Sequence, residues 1–312
     1  MKINKAITGI DKSGSFRVYM AITTKMAEDA RLIHETSPLA THLLGRALTG
    51  TGLMGLMLRE PGFKVTLQFK GDGPAQQVLC TASSEGAVKG YIVNPDVDLP
   101  PKSDGSPDVG GALGIGTVTC IRDTGLKEPY VGRIDLVSGE IADDMTAYFF
   151  ISEQQQTSVS LGVKLDSDGS VEAAGGMIIQ MLPDASEEAI QALEEWLPKM
   201  PKITELVSDI AGNAGAKSPE TLMKELINGA FSGLPEEFAV SAMDFLDIGW
   251  QCDCSEERLE QVVLSLGSRE IRDIIAEDGS AELTCQFCRK KYQFDRAHLE
   301  RLLYESIKNK MN

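Results

Sequence analysis

Apolar and polar residues follow two distinct periods along the first 183 positions of the chain. Stretches with a period of two residues indicate half-buried strands, and apolar residues three and four positions apart indicate helices. Helices are predicted over 26–33, 37–58 and 141–152, and the second has Ser37 as N-cap with Pro38 at the first helical position. We therefore expect residues 1–183 to form an α+β core domain that mixes sheet and helix. Strands are predicted over residues 16–23, 64–69, 76–82, 87–93, 117–121, 130–136, 158–165 and 173–182.

The pattern changes over residues 184–248, where helical periodicity returns in short pieces. Helices are predicted over 187–197, 203–210 and 219–231, separated by proline and glycine. Residues 184–247 contain thirteen acidic and four basic residues, a net charge of −9. Short amphipathic helices rarely hold together alone, so these need a surface to lie on. We expect an acidic helical linker, either a plain connector or a regulatory segment whose order depends on its neighbours.

Four of the six cysteines lie close together in sequence near the C-terminus. Cys252 and Cys254 form a C-x-C pair, and after thirty residues Cys285 and Cys288 form a C-x-x-C pair. Two close pairs at this separation can place four thiolates tetrahedrally around one zinc ion. Unrelated core cysteines and permanent disulfides are the alternatives. Neighbouring thiols can also pair with each other, Cys252 with Cys254 and Cys285 with Cys288, so the same cluster is a candidate redox switch.

Residues 249–312 are predicted to form a separate zinc-binding domain. A domain of this size is near the lower limit for a self-sufficient core, so loss of the metal is expected to unfold it. The basic residues Arg289, Lys290 and Lys291 follow Cys288, and we expect them to favour its thiolate. The remaining cysteines, Cys80 and Cys120, stand alone in strand-like contexts and are interpreted as core residues.

Other motifs argue against an enzyme. The glycines of 110–116 precede a predicted strand, whereas the dinucleotide fingerprint needs a helix there. Residues 9–15 resemble a nucleotide-binding loop but have Ser15 in place of its lysine, so ATP use is not expected. No catalytic triad and no H-E-x-x-H motif occurs. His34 and His42 have no cysteine or carboxylate partner at the spacing of metal ligands. We interpret both histidines as structural or surface residues.

Composition narrows the possible partners and location. The chain has 312 residues, enough for two domains, and a net charge of −16, which disfavours binding to nucleic acid. It has neither an apolar run long enough to span a membrane nor an N-terminal apolar signal, so a cytoplasmic protein is expected. There thiols stay reduced, which favours zinc over disulfides.

Two other functions remain open from the residues alone. A zinc-ribbon adaptor would bind nucleic acid or a protein through Arg289, Lys290, Lys291 and Arg296. A thiol oxidoreductase would use Cys285-x-x-Cys288, although the βαβ context of thioredoxin-like enzymes is missing.

The sequence resembles the bacterial redox-regulated heat-shock holdases of the 33 kDa chaperonin family along its whole length. The resemblance is carried by the cysteine spacing and by the residues around it and in the first domain. These are Cys252-Asp253-Cys254-Ser255 with Glu257-Arg258, Glu282 to Cys288, Tyr292-Gln293-Phe294, Ser152-Glu153-Gln154 with Thr157, and Gly175-Gly176 with Gln180 and Leu182-Pro183.

The resemblance implies an ATP-independent holdase that is inactive when reduced and bound to one Zn²⁺ through Cys252, Cys254, Cys285 and Cys288. It implies that oxidation forms the disulfides Cys252–Cys254 and Cys285–Cys288, releases zinc and exposes a surface that binds unfolding proteins. It also implies a dimeric active form that passes its clients to ATP-driven foldases.

Overall fold

The computed structural model describes residues 3–58 and 60–311, and its contacts divide the chain into two compact units. The N-terminal unit covers Met1–Gln251 and the C-terminal unit covers Cys252–Asn312. By these contacts, residues 184–248 belong to the N-terminal unit. The mixture of sheets and helices confirms the predicted α+β class. None of the described helices is long and apolar enough to cross a bilayer.

Apart from one short helix at Val109–Leu113, which the sequence pattern did not predict, the elements of the N-terminal unit follow the predicted pattern between residues 16 and 231. Its strands are β1 (Lys5–Asp11), β2 (Phe16–Ile22), β3 (Lys64–Gly71), β4 (Gln77–Ser83), β5 (Ala87–Ile92), β6 (Gly116–Asp123), β7 (Tyr130–Asp135), β8 (Thr157–Leu165), β9 (Val171–Met181), β10 (Val240–Leu246) and β11 (Gly249–Trp250). Its helices are α1 (Thr24–His34), α2 (Pro38–Leu56), α3 (Val109–Leu113), α4 (Ala142–Glu153), α5 (Glu187–Trp196), α6 (Ile203–Gly212) and α7 (Pro219–Phe231). Two short 3-10 turns lie at Leu197–Lys199 and Glu236–Phe238.

Helix α2 forms the centre of the N-terminal unit because it is buried on nearly every side. It begins as predicted: the Ser37 hydroxyl accepts a hydrogen bond from the Ala40 amide, and Pro38 occupies the first turn. Strands of two sheets pack against the helix, including β4 and β5 from one sheet and β8 and β9 from the other. Cys80 and Cys120 lie in this core and are fully buried, which confirms their structural interpretation. His34 is buried too, and its Nε2 lies 3.1 Å from the Gly90 carbonyl oxygen.

The five-stranded sheet has the order β10-β1-β2-β9-β8 and is antiparallel throughout. Alternate side chains of its strands enter different cores, since successive residues of a strand point to opposite faces. Tyr19 and Ile178 belong to the core around α2, whereas Met20 and Ile179 belong to a second apolar cluster. Both faces of this sheet are therefore apolar.

The acidic helices α5, α6 and α7 supply the other half of that second cluster. Leu193, Val207 and Leu226, one from each helix, are buried in it. This confirms the expectation that these helices need a surface to lie on, and the surface is one face of the five-stranded sheet.

The segment after these helices differs from the helical linker predicted over 184–248. Residues 240–246 form β10, which pairs with β1 at the edge of the five-stranded sheet. Strand β11 then pairs with β5 at the edge of the six-stranded sheet, whose order is β11-β5-β4-β3-β6-β7. The sequence pattern missed β1 and β10 because β10 exposes four consecutive residues and β1 buries four in a row, so neither alternates.

The C-terminal unit is a small α+β fold. It consists of helices α8 (Glu256–Leu266), α9 (Ser268–Glu277) and α10 (Arg296–Met311) and the hairpin of β12 (Ala281–Thr284) with β13 (Lys291–Phe294). Among its described residues, one small cluster of seven buried apolar side chains is found: Val263, Ile271, Ile275, Tyr292, Phe294, Leu299 and Leu302.

Candidate metal centre

The first cysteine pair is held in place by the start of helix α8. The Ser255 hydroxyl caps this helix by accepting a hydrogen bond from the Arg258 amide at 3.3 Å. The Arg258 guanidinium reaches back, donates to the Asp253 carbonyl oxygen at 3.1 Å and pairs with the Asp253 carboxylate at 2.6 Å. These contacts fix the Cys252–Cys254 turn relative to the helix.

The second cysteine pair lies in the turn of the β12–β13 hairpin. The Cys285 amide donates to the Lys290 carbonyl oxygen, and the Arg289 amide donates to the Cys285 carbonyl oxygen, both at 2.9 Å. Arg289 has a φ of 60°, the left-handed conformation that tightens the turn. An antiparallel hairpin is not the βαβ setting of a thioredoxin-like enzyme, which agrees with the sequence argument against that class.

The structure brings all four predicted cysteines together. Their sulfur atoms lie within 4.8 Å of one another, with Cys252 and Cys285 at 3.8 Å and Cys254 and Cys288 at 3.3 Å. Four sulfurs about 2.3 Å from a central zinc ion would be about 3.8 Å apart in a tetrahedron. All six cysteines are free thiols in this structure. The cluster can therefore hold a metal ion, and its spacing suits a tetrahedral one.

Tyr292, on β13, is a neighbour of the centre that the sequence interpretation did not identify as part of it. Its buried hydroxyl lies 3.2 Å from both the Cys254 sulfur and the Cys254 carbonyl oxygen. The hydrogen bond to Cys254 raises the pKa of the Tyr292 phenol, which keeps it protonated as a donor. Two signals could have found it: its place among the residues that carry the family resemblance, and the alternation of Tyr292 with Phe294, which is typical of a strand with one buried face.

The thiols of the cluster differ in acidity. Burial opposes ionisation of Cys254, but hydrogen bonds from Tyr292 and the other cysteines outweigh it and lower the pKa of Cys254 to about 7. Burial raises the pKa of Cys252 and of Cys288. The prediction that basic neighbours favour the Cys288 thiolate is therefore wrong, and of Cys252, Cys254 and Cys288 it is Cys254 whose surroundings favour the thiolate.

Two of the three basic residues that follow Cys288 have contacts of their own, as does Arg296 further on. The Lys291 ammonium pairs with Glu282 at 2.8 Å, and the Lys290 ammonium lies 4.8 Å from the centre of the Tyr292 ring. Arg296 pairs with Glu300 at 3.2 Å. Part of this positive charge is therefore engaged in contacts within the unit, which weakens the alternative of a basic surface for nucleic acid.

A second group with metal-ligand chemistry lies between α8 and α10, where Glu256, Glu260 and His298 come together. The Arg301 guanidinium already occupies this position, 2.6 Å from a Glu260 oxygen and 2.7 Å from the His298 Nε2. A bound cation would have to displace that positive charge. We interpret the group as a polar clamp between two helices.

Known proteins share both the sequence and the fold. A family model described as Hsp33 protein matches residues 4–295. Proteins named 33 kDa chaperonin from Alkaliphilus oremlandii and Clostridioides difficile are each 42% identical to the chain, over 99% of the chain and 99% of the relative in the first case and 94% and 96% in the second. The crystal structure of the 33 kDa chaperonin (heat shock protein 33 homolog) from Thermotoga maritima matches with a TM-score of 0.83 at 33% identity, covering 98% of this chain and 99% of that one. The chain therefore belongs to the Hsp33 family of 33 kDa chaperonins, and its role is that of a chaperone.

Proposed function

We propose that this chaperone is an ATP-independent holdase that oxidation activates. In the reduced state Cys252, Cys254, Cys285 and Cys288 hold one zinc ion and the protein is inactive. Oxidation converts the four thiolates to two disulfides, the C-terminal unit unfolds, and a surface becomes free to bind unfolding proteins. The observation that carries the proposal is the convergence of four free thiols on one point in a unit with a very small apolar core.

The donor set favours zinc. Four cysteine sulfurs at near-tetrahedral spacing form a closed structural site, and no other ligand type is needed. When bound, zinc keeps all four sulfurs as thiolates and joins the C-x-C turn to the hairpin turn. Tyr292 orients Cys254 through its hydrogen bond, as the outer partners of metal ligands commonly do.

The oxidative step balances with peroxide as the oxidant. A cysteine thiolate attacks one peroxide oxygen, forms a sulfenic acid and releases hydroxide. A second thiolate then attacks the sulfenic sulfur, forms the disulfide and releases another hydroxide. Two peroxide molecules thus accept the four electrons of two disulfides. Disulfide sulfurs are poor metal ligands, because the thiolate is the species that binds metal.

The proposed disulfides join Cys252 to Cys254 and Cys285 to Cys288. The family resemblance supports this pairing, whereas the sulfur distances also permit bonds between the two turns. The two possibilities have opposite consequences. Bonds between the turns would close loops of more than thirty residues and stabilise the unit by roughly 3–4 kcal/mol, whereas bonds within each turn close very short loops and stabilise it little. Only pairing within the turns is consistent with unfolding.

Loss of the C-terminal unit is proposed to loosen the acidic helices α5, α6 and α7. They cover an apolar face of the five-stranded sheet, so their departure would expose a broad apolar surface beside a strongly acidic chain. Such a surface can hold unfolding proteins without precipitating. We further propose that the activated form is a homodimer, that ATP-driven foldases receive its clients, and that it acts in the cytoplasm, where thiols begin reduced.

The proposal is tested by treating the zinc-loaded, full-length protein with peroxide at raised temperature. Released zinc is measured with a chromophoric chelator, disulfides are mapped by mass spectrometry, and aggregation of a heat-denatured client is followed by light scattering. We expect zinc release, disulfides within each turn, and suppression of aggregation only after oxidation. Suppression by the reduced form, or disulfides between the turns, would contradict the proposal.

Two variants distinguish the role of the four-cysteine cluster in the redox response from that of the other cysteines. Cys288→Ser removes one ligand and is expected to leave a weakly bound metal and a chaperone that no longer needs peroxide. Cys80→Ala removes a fully buried thiol in the other unit and is expected to leave the redox response unchanged.

A further inference from the structure

One short segment supplies an edge strand to each of the two large sheets. Strand β10 pairs with β1 from Asp11↔Val240 to Ala6↔Leu246, and only three residues later β11 begins its pairing with β5 at Gly249↔Ala87. The chain crosses from one sheet to the other at Ile248, which is buried in the core around α2. Residues 240–250 are here called the edge segment.

The edge segment is held mainly by its backbone. Residues Ser241 to Asp244 of β10 are exposed, whereas four consecutive residues of the adjacent strand β1 are buried. Its register also shifts between Ile7 and Gly9. The apolar side chains that anchor the segment are Val240, Phe245, Leu246, Ile248 and Trp250, and of these only Ile248 is buried. A strand with so few buried side chains is the first part of a sheet to separate.

Charges at both ends of β1 reinforce this pairing. The Lys5 ammonium lies 2.8 Å from the Asp247 carboxylate, and the Lys12 ammonium lies 3.1 Å from Glu236, just before the edge segment. Both acidic partners are well exposed, so these ion pairs add specificity more than stability. Two lysines therefore flank the strand that the edge segment covers.

The edge segment leads directly into the metal centre along the chain. Gln251 donates its amide to the Val88 carbonyl oxygen at 2.8 Å and extends the β11 pairing, and Cys252 is the next residue. Any change that frees the chain at Cys252 removes the anchor at the end of this segment.

We propose that the edge segment is a removable cover, and that its release turns β1 into a template to which an extended segment of an unfolding protein adds as a new strand. An uncovered strand presents a row of unpaired amides and carbonyls, which is a ready site for strand addition. This inference rests on the proposed function, because oxidation is what releases the segment. It adds backbone pairing to the apolar contacts by which clients are held.

The residues of and beside β1 determine which peptides could pair with this strand. Gly9 leaves no room for a side chain: an added Cβ would lie 2.8 Å from Val240 Cγ1 and 3.0 Å from the Ser241 carbonyl oxygen. A strand can therefore approach the backbone closely at this point. Lys5 and Lys12 favour acidic residues at both ends of the incoming segment, as Asp247 and Glu236 are now. We expect an extended, apolar peptide with acidic flanks and without proline, since proline cannot complete the ladder.

Amide hydrogen exchange on the full-length protein tests the template directly. In the reduced, zinc-loaded form, residues 5–11 should exchange slowly. Oxidation should accelerate their exchange by roughly tenfold or more, and a bound client should slow it again. Strand β7 is the internal control, because it lies in the other large sheet, is an edge strand in every state and should not change.

The outcomes separate this inference from the proposed function. If the oxidised protein suppresses aggregation while residues 5–11 stay protected throughout, or stay unprotected with client bound, the template is wrong and the holdase stands. If the oxidised protein does not suppress aggregation in the same samples, the proposed function itself fails.

A peptide provides a second measurement that needs no variant of the protein. A fluorescent peptide with the sequence of residues 239–247 should bind the oxidised form, compete with client, and not bind the reduced form. The same peptide with proline in place of both Ser241 and Ala242 should bind at least about tenfold more weakly, because one of two successive strand amides faces the partner strand and is lost. Equal binding of the two peptides would overturn strand addition.

Discussion

The two units of the protein reach stability by different routes. In the N-terminal unit, α2 is buried between strands of two sheets, and a second apolar cluster fills the space beneath the acidic helices. In the C-terminal unit, the described residues bury only one small apolar cluster beside four converging sulfurs. Apolar burial is therefore expected to be sufficient to hold the first unit, whereas under the proposed function the second needs cross-linking by a metal.

Under the proposed function, this difference would let one chain combine a unit that withstands oxidants with a unit that unfolds when its thiols are oxidised. Apolar packing does not respond to oxidants, since no sulfur has to ionise. A thiolate cluster responds at once, because oxidants attack the same species that binds the metal. The four predictions below test the contrast, in order of decreasing effect.

The largest effect is expected from chelation of the reduced protein. Structural zinc contributes about 10–16 kcal/mol of apparent binding energy to small domains, which equals or exceeds the total stability of most domains. The calorimetric transition of the C-terminal unit should disappear while that of the N-terminal unit remains, and added zinc should restore it. A cooperative C-terminal transition that survives chelation would refute the dependence on metal.

Matched truncations in the two cores should have unequal consequences. Phe294 and Phe69 are both fully buried, and replacing either with alanine should cost about 3–5 kcal/mol. In the C-terminal unit, Phe294→Ala should lower zinc affinity by about two to three orders of magnitude, because binding and folding are coupled. Phe69→Ala should lower the melting temperature of the N-terminal unit by roughly 10 °C and leave zinc affinity unchanged. Competition with a chelator and calorimetry measure both, and equal effects on zinc would contradict the contrast.

The N-terminal unit should lose stability in mild acid through His42. Burial, together with the nearby Arg46, lowers the pKa of His42 from its usual 6.5 to about 4. Between pH 6.5 and 4, His42 therefore binds a proton in the unfolded chain but not in the folded unit. The contribution of neutral His42 to the free energy of unfolding is complete above pH 6.5 and is lost as the pH falls towards 4. It amounts to about 3 kcal/mol. Denaturant unfolding of the N-terminal unit at several pH values should show a weaker pH dependence in His42→Gln, and identical profiles would exclude the effect.

The smallest effect is expected from two equivalent helix caps. Ser255 caps α8 beside Cys254, and Ser218 caps α7, each by accepting an amide hydrogen bond at 3.3 Å. Replacing either with alanine should cost about 1 kcal/mol. Ser255→Ala should weaken zinc binding about fivefold, whereas Ser218→Ala should not change it. Comparable zinc affinities for the two variants would mean that the cap does not position the cysteine pair.

Much of the N-terminal unit could be predicted from its sequence because its elements are locally encoded. The Ser37-Pro38 start of α2 and the regular patterns of β3, β4 and β5 need no distant partner to be recognised. Strand β10 could not be found in this way. It pairs with β1 more than 200 positions away, and its exposed side chains leave no period to detect.

The same distinction between local sequence and distant contacts applies to the candidate metal centre. The sequence alone determined which four cysteines form the cluster, because two close pairs of thiols at that separation suit one tetrahedral ion. Only the tertiary structure decided that the pKa of Cys254 is lowered, because the hydrogen bond from Tyr292 to Cys254 joins residues 38 positions apart. The tertiary structure also decided that residues 240–250 supply an edge strand to each of the two large sheets. Pairing between strands far apart in sequence depends on where the fold brings the two backbones together.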